Sequence, residues 1–471
     1  MKILFCTTEV QPFSKDGGLA DFSASLPKAL ASLGNKVNIV SPYYKQVKDN
    51  YGDQAIYLGE RKIKFGAFEE TANYYLIVLN NQEYYFVSHP FFDRNSYYDY
   101  RDDAKRFVFL NIAILEMISL VSFYPEIIHV NNWHTALIPY FLDSLYLNHA
   151  NYKHIKTLLT IHSLEKQGSF PMAVETFITK KNYTYQHNDQ VNYLKSGIMR
   201  ASKINTVSKS YRSEILTKFF GFSLDGPLKS RQYELIGIQN GIDFSVFNPA
   251  TDNNIYKNYS LNNYSEGKFF NKQALLKELN LKDTNKPVIA LIGRLAREKG
   301  IDLIIEFIDD YLKNDELYLI VAGSGDYEYE DFFESLKVKY PNNFHFFNGH
   351  VHDINQKLFA ASDIFIMPSL FEASGLNQMI AMRYGTVPIV RETGGLKDTV
   401  SHFSEENKSG TGFLFKNYDS SELKDTLDNA IKIYKNDEKT WNLIIENGMK
   451  VNNSIAKMAK AYHELYKSLS E

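Results

Sequence analysis

Cysteine is nearly missing: Cys6 is the only one in 471 residues, and it sits inside the apolar opening run KILFC. One thiol can build neither an internal disulfide nor a cysteine-based metal site, so a reducing, cytoplasmic setting is expected. Net charge is nearly missing as well. The 52 basic and 55 acidic side chains leave −3, which argues against nucleic acid or an anionic membrane as the main partner. Long apolar runs are wanting too: the stretch from Phe107 to Phe123 carries Asn111 and Glu116 and falls short of a membrane span, so it predicts a buried helix. The opening residues show no signal-peptide succession. Neither an Asp-x-Asp pair nor a His-x-x-x-His pair is available to chelate a metal.

What is there is length and rhythm. A chain of 471 residues is too long for one hydrophobic core, and two domains are expected. Short apolar runs alternate with helical patterns, the signature of parallel sheets flanked by helices. In the first half the strand candidates are 2 to 6, 36 to 42, 127 to 130, 157 to 162, 204 to 208 and 235 to 241. Residues 60 to 88 read instead as consecutive strands, an inserted antiparallel patch. After a polar, Asn- and Tyr-rich segment from Asn248 to Gly267, expected as an interdomain linker, strands are predicted at 287 to 293, 317 to 323, 344 to 349, 363 to 368 and 386 to 390. The fold class is therefore α/β, with two Rossmann-like domains, 1 to 247 and 248 to 471, facing a central cleft. Ligands in such sheets bind beyond the carboxyl ends of the strands.

The most informative block is SLFEASGLNQMIAMRYGTVPIV with the Thr393-Gly394-Gly395 turn just after it. Glu372 is a lone carboxylate in a loop opening a helix, and Ser374 and Gly375 suit a helix start, where unpaired N–H groups can hold hydroxyl or anionic groups. Two such glycine-bearing turns in one half point to a sugar-phosphate pocket. The plainer alternative is a pair of βαβ connections whose glycines only permit tight turns.

Other strand ends add charge. Lys15, Gly17 and Gly18 precede a helix whose positive end suits a diphosphate; the spacing matches neither a G-x-G-x-x-G nor a P-loop pattern, and a plain helix-start loop is the alternative. Arg294 and Lys299, with Arg297 between, place cations where a leaving diphosphate would need them if no metal neutralised it; a solvated charged turn is the alternative. His129, His134 and His162 lie near two strand ends, where a structural role is the commoner one. Asn240-Gly241 closes the last strand of the first half and reads also as a simple turn. Together the loops predict a cleft with Lys15, His162 and Asn240 on one wall and Arg294, Lys299, Glu372 and the Thr393 loop on the other.

These residues resemble a known family along nearly the whole chain: bacterial glycogen synthases and plant starch synthases, the retaining α-glucan synthases of glycosyltransferase family five with the GT-B fold. The resemblance is carried by Lys15 to Asp21 (KDGGLAD), Thr160 to His162, Asn240 to Asp243, NPATD, GRLAREKG, YGTVPIV and TGGLKDTV. It implies transfer of glucose from ADP-glucose to the non-reducing end of an α-1,4-glucan such as glycogen, with retention, no cofactor and no metal; the alternative is a GT-B transferase using UDP-glucose or another acceptor. It assigns catalytic roles to His162, Arg294, Lys299 and Glu372. Donor contacts are implied for Lys15, Gly17, Gly18, Asn240, His350, Ser374, Gly375, Leu376, Thr393, Gly394 and Gly395, and sugar or acceptor contacts for Asp21 and Asn132. It also implies a C-terminal helix crossing back to the first domain.

Several positions depart from the family pattern. Asn132 stands where the family has Asp, Ser374 where it has Cys, His350 where an aromatic ring often faces adenine, and Ile455 where Trp is common; the loop between Gln167 and Asn192 is shorter than in many relatives. The loss of charge at Asn132 leaves a weakly active, glucan-binding paralogue as a rival expectation.

Overall fold

The computed structural model describes residues 1–179, 183–282, 285–349 and 353–470. It divides into two units: Met1–Asn240 with Ile455–Glu471, and Gly241–Ser454.

The first unit is built on a nine-stranded sheet. From one edge the strands run Leu235–Gly237, Lys203–Thr206, Lys156–Ile161, Ile127–Asn131, Lys2–Cys6, Lys36–Pro42, Gln82–Ser88, Phe68–Leu79 and Ile56–Phe65. All neighbours pair in parallel except the last three strands, which form the antiparallel patch expected from residues 60 to 88. Central strands are apolar on both faces, as strands covered by helices must be: Ile3, Leu4 and Phe5 are fully buried, as are Ile127 and Ile128. The expected buried helix is Asp103–Leu120, and no described helix is long and apolar enough to cross a membrane.

Strand order decides where ligands can bind. The chain runs outward from Lys2–Cys6 to Lys36–Pro42, then returns to lay Ile127–Asn131 on the other flank of Lys2–Cys6. Crossovers leave in opposite directions there, so the loops after these two strands splay apart and open a crevice. Those loops carry Lys15 and Asn132.

The second unit repeats the device in a six-stranded, all-parallel sheet: Phe344–Asn348, Tyr318–Gly323, Val288–Ile292, Ile364–Met367, Val387–Arg391 and Phe413–Phe415. Its reversal lies between Val288–Ile292 and Ile364–Met367. The loops that follow carry Arg294 with Lys299, and Glu372.

The last helix, Ile455–Ser470, belongs to the first unit. Its buried Met458, Ala459, Tyr462, Leu465, Tyr466 and Leu469 recur at helical spacing and face the first helix, Gly18–Ala31. Burying each Leu or Met among them contributes ~1.5–3 kcal/mol. His129 ties the helix to the sheet. Thr160 Oγ1 donates to Asn205 Oδ1, so it accepts from His129 Nε2 (2.5 Å), and His129 Nδ1 then accepts from the Tyr466 hydroxyl at 2.7 Å. His129 is a structural histidine.

Two boundaries differ from the sequence reading. The first unit ends at Asn240 rather than 247, because Ile242 already pairs with Ser454 and donates its N–H to Asn453 O at 2.8 Å within the second unit. The segment 248 to 267 is not a linker but part of the second unit's packing. Tyr259 is buried and donates to Tyr384 O at 2.7 Å, while the Tyr384 hydroxyl donates to the buried Asp252 carboxylate.

Candidate functional site

In the first unit the loop after Lys2–Cys6 folds back on itself, Val10 bridging to Ser14, and delivers Lys15 to the start of the first helix. Lys15 Nζ lies 3.0 Å from Asp21 Oδ1, one turn into that helix, with both side chains about two-fifths exposed (41% and 42%). Gly17 and Gly18 answer the question left open by sequence. Neither has a positive φ, and a Cβ on either would meet nothing within 4 Å. Packing and backbone geometry would both admit a side chain, so the glycines keep space clear beside a helix N-terminus, where an anion can approach. Beneath the loop, Glu9 is buried and its carboxylate accepts the N–H groups of Asp16 (2.7 Å) and Gly17 (2.8 Å).

His162 is held by two consecutive asparagines. Asn132 Oδ1 accepts the His162 backbone N–H at 2.9 Å, and Asn131 Oδ1 lies 2.9 Å from His162 Nε2. Asn131 Nδ2 donates to Cys6 O at 3.0 Å, which fixes the amide so that Oδ1 must accept from His162 Nε2–H. Nδ1 is thereby left as the unprotonated nitrogen of a neutral ring. Burial pushes the His162 pKa down to about 3, so the ring is neutral at physiological pH. Asn132 has φ 53°, a region that Asn enters more readily than most residues. Its amide oxygen positions the His162 backbone without carrying a charge. Asn240 donates its N–H to Val207 O at 3.2 Å, and its Oδ1 is buried without a partner among the described residues.

In the second unit Lys299 Nζ sits 2.6 Å from Glu372 Oε2, with side chains 30% and 13% exposed. Arg294 pairs with Glu298, four residues on. Both cations expected to meet a diphosphate thus carry a carboxylate partner. The Glu372 loop is clamped from three sides. Leu370 N–H donates to Glu298 O at 2.9 Å, and Gly395 N–H donates to Glu372 O at 3.0 Å. The buried Arg391 guanidinium donates to the carbonyls of Ser369 (2.7 Å) and Leu370.

Here the backbone itself requires the glycines. Gly375 and Gly394 have φ of +67° and +42°, and a Cβ on Gly395 would stand 2.1 Å from Ser374 O. Gly395 therefore lets the Thr393 turn close directly onto the Glu372 loop. The helix begins at Asn377 with Leu376 at its N-cap, so Ser374 and Gly375 precede the helix instead of opening it. Ser374 and Thr393 are buried. His350 lies outside the described residues. Sequence reasoning missed Glu9, Asn131, Glu298 and Arg391, whose partners, backbone atoms for the most part, are not read from spacing.

Comparison with known proteins gives the lineage. Residues 2–230 match the starch synthase catalytic domain and residues 272–450 match glycosyl transferases group 1. The chain is 47% identical to glycogen synthase of Acholeplasma laidlawii over 474 residues, covering 100% of this chain and 99% of that one. It is 39% identical to glycogen synthase of Clostridioides difficile, with all of both chains covered. Among solved structures, the catalytic domain of starch synthase IV from Arabidopsis thaliana, bound to ADP and acarbose, superposes with a TM-score of 0.90 at 29% identity, covering 100% and 99% of the two chains. Sucrose-phosphate synthase from Thermosynechococcus elongatus shares the fold at a TM-score of 0.65 and 17% identity, covering 99% and 98%. With one mostly parallel and one all-parallel sheet, each reversing at its loop cluster, and this full-length likeness, the chain belongs to the glycogen synthase and starch synthase family of GT-B glycosyltransferases.

Proposed function

We propose that the protein transfers glucose from ADP-glucose to the non-reducing end of an α-1,4-glucan, retaining the anomeric configuration, without a divalent metal or cofactor and in the cytoplasm. The observation that carries this reading is the cluster of Arg294, Lys299 and Glu372 at the carboxyl end of Val288–Ile292 and Ile364–Met367, a switch point where a sugar phosphate binds.

The chemistry follows from charge. As the bond from the anomeric carbon to the diphosphate oxygen breaks, negative charge grows on the leaving group, and Arg294 and Lys299 stabilise it. The acceptor 4-hydroxyl attacks from the same face and passes its proton to the departing phosphate oxygen. No protein nucleophile is needed, and positioning supplies a large share of the rate. Glu372 holds glucose hydroxyls once Lys299 turns to the diphosphate. Lys15 and Gly18 take the donor phosphates, neutral His162 lines the anomeric centre, and Asp21 and Asn132 face sugar.

ADP is the nucleotide held by the Arabidopsis relative, alongside acarbose, which supports an adenine donor and a glucan-like acceptor. UDP-glucose is the rival donor. Asn132 favours an active enzyme over a binding-only paralogue, because its hydrogen bond to His162 is in place. Incorporation of labelled glucose into glycogen from each donor, with and without chelator, tests the reading.

A further inference from the structure

The Lys15–Gly18 loop is held by a residue that precedes it in the chain, Glu9. Glu9 is 5% exposed. Its Oε2 accepts from the Asp16 and Gly17 amides at 2.7 and 2.8 Å, and its Oε1 accepts from the Tyr98 hydroxyl at 2.7 Å. Tyr98 in turn lies 2.8 Å from Thr8 Oγ1, and Glu9 N–H donates to Thr7 Oγ1 at 3.3 Å. The carboxylate is thus engaged on both oxygens by protein groups.

Tyr98 is itself fixed from below. Fully buried Arg106 donates to the carbonyls of Phe91 and Tyr97, so the segment that presents Tyr98 is pinned to the helix Asp103–Leu120. Tyr98 also packs its ring on His134 with centroids 4.5 Å apart.

The first helix has no side-chain cap of its own at Gly17. Gly17 and Gly18 are conformationally permissive, yet no side chain packs near their open sides. Something must hold them, or the loop would lose its shape whenever the ligand left. Glu9 turns the amides of Asp16 and Gly17 inward, leaving Gly18 and the Lys15 side chain for the open side.

We propose that Glu9, set by Tyr98, is a positioning residue for the donor: it preorganises the Lys15–Gly18 loop for the diphosphate of the nucleotide sugar without touching it. The inference rests on the donor role proposed for that loop. It separates Glu9 from a glucan contact, which would need an accessible carboxylate, and from a purely structural anchor, which would change stability alone.

Three variants test it: Glu9→Ala, Glu9→Gln and Tyr98→Phe, each measured for donor KM, glycogen KM, kcat, thermal midpoint and ADP affinity by titration calorimetry. Glu9→Ala is expected to raise donor KM and weaken ADP binding about tenfold, a fraction of the value of the two lost charge-assisted hydrogen bonds because they hold the loop and not the ligand, with glycogen KM unchanged. Glu9→Gln keeps an amide oxygen for the two N–H groups and should recover most of the loss. Tyr98→Phe keeps the carboxylate and should shift donor KM in the same direction by less. In a Lys15→Ala background the Glu9→Ala effect should shrink, since the two act as one unit. A rise confined to glycogen KM, a lower thermal midpoint with unchanged donor KM, or tighter ADP binding from relieved repulsion each overturns the proposal. Wild-type protein that binds ADP but transfers no glucose overturns the functional reading alone, and the calorimetry still decides on Glu9. Wild-type protein that does not bind ADP overturns both.

Discussion

The Lys299 ammonium lies 2.6 Å from the Glu372 carboxylate. Under the proposed function the same lysine meets the leaving diphosphate, so donor binding exchanges one anionic partner for another. Glu372 then has the glucose hydroxyls as hydrogen-bond partners in place of the ammonium. Glu372→Gln is expected to lower kcat about a hundredfold or more, on the scale of losing one preorganised polar group. Lys299→Ala should do the same and also raise donor KM. Steady-state kinetics, with circular dichroism to verify folding, check both.

The neutral state of His162 has a pH consequence. Its pKa falls from the usual 6.5 to about 3 because burial disfavours the imidazolium. The folded value lies below the unfolded one, so the stabilising contribution is complete above about pH 6.5 and is lost as pH falls toward 3. Chemical-denaturation midpoints should therefore decline across that window, and His162→Gln should flatten part of the decline. His162 should also leave no inflection near pH 6.5 in the rate profile.

Asn132 carries the hydrogen bond of an aspartate without its charge. Asn132→Asp is expected to raise kcat roughly three- to tenfold, since charge near a developing cation helps but orientation is already supplied. Asn132→Ala removes the acceptor and places a β-carbon-only side chain at φ 53°. It should lower kcat about tenfold and cost ~1–2 kcal/mol of stability. Turnover and urea midpoints for the two variants separate charge from position.

Arg391 anchors the backbone that presents Glu372. Arg391→Met would leave the Ser369 and Leu370 carbonyls without donors at a buried site, costing ~2–4 kcal/mol. Because the loop carries Glu372, kcat should fall with stability, whereas ADP affinity, set largely by the cations, should change less. Thermal melts and calorimetry distinguish these effects.

The sheets were legible because parallel strands buried on both faces write themselves as continuous apolar runs, as in VIALI and YLIVAG. The segment from Asn248 to Gly267 was misread because its composition is polar, while its place is set by Tyr259, Asp252 and Tyr384, partners more than a hundred residues apart in sequence. The places of Lys15, Lys299 and Glu372 just after strands were legible from the apolar runs that precede them. Their supports were not: Glu9, Asn131 and Arg391 act on backbone N–H and C=O groups, and sequence spacing does not show which backbone atoms come near. Gly17 and Gly395 look alike in sequence and differ in reason, one facing open space and the other a carbonyl that an added Cβ would meet at 2.1 Å.

The most direct measurement is the initial rate of labelled glucose incorporation into glycogen by wild-type protein, with ADP-glucose and UDP-glucose compared in the presence of chelator. The account predicts chain elongation from ADP-glucose, little from UDP-glucose, undiminished by chelator and abolished by Glu372→Gln. Protein that binds ADP-glucose yet never lengthens glycogen, or elongates equally well with Glu372→Gln, would contradict it.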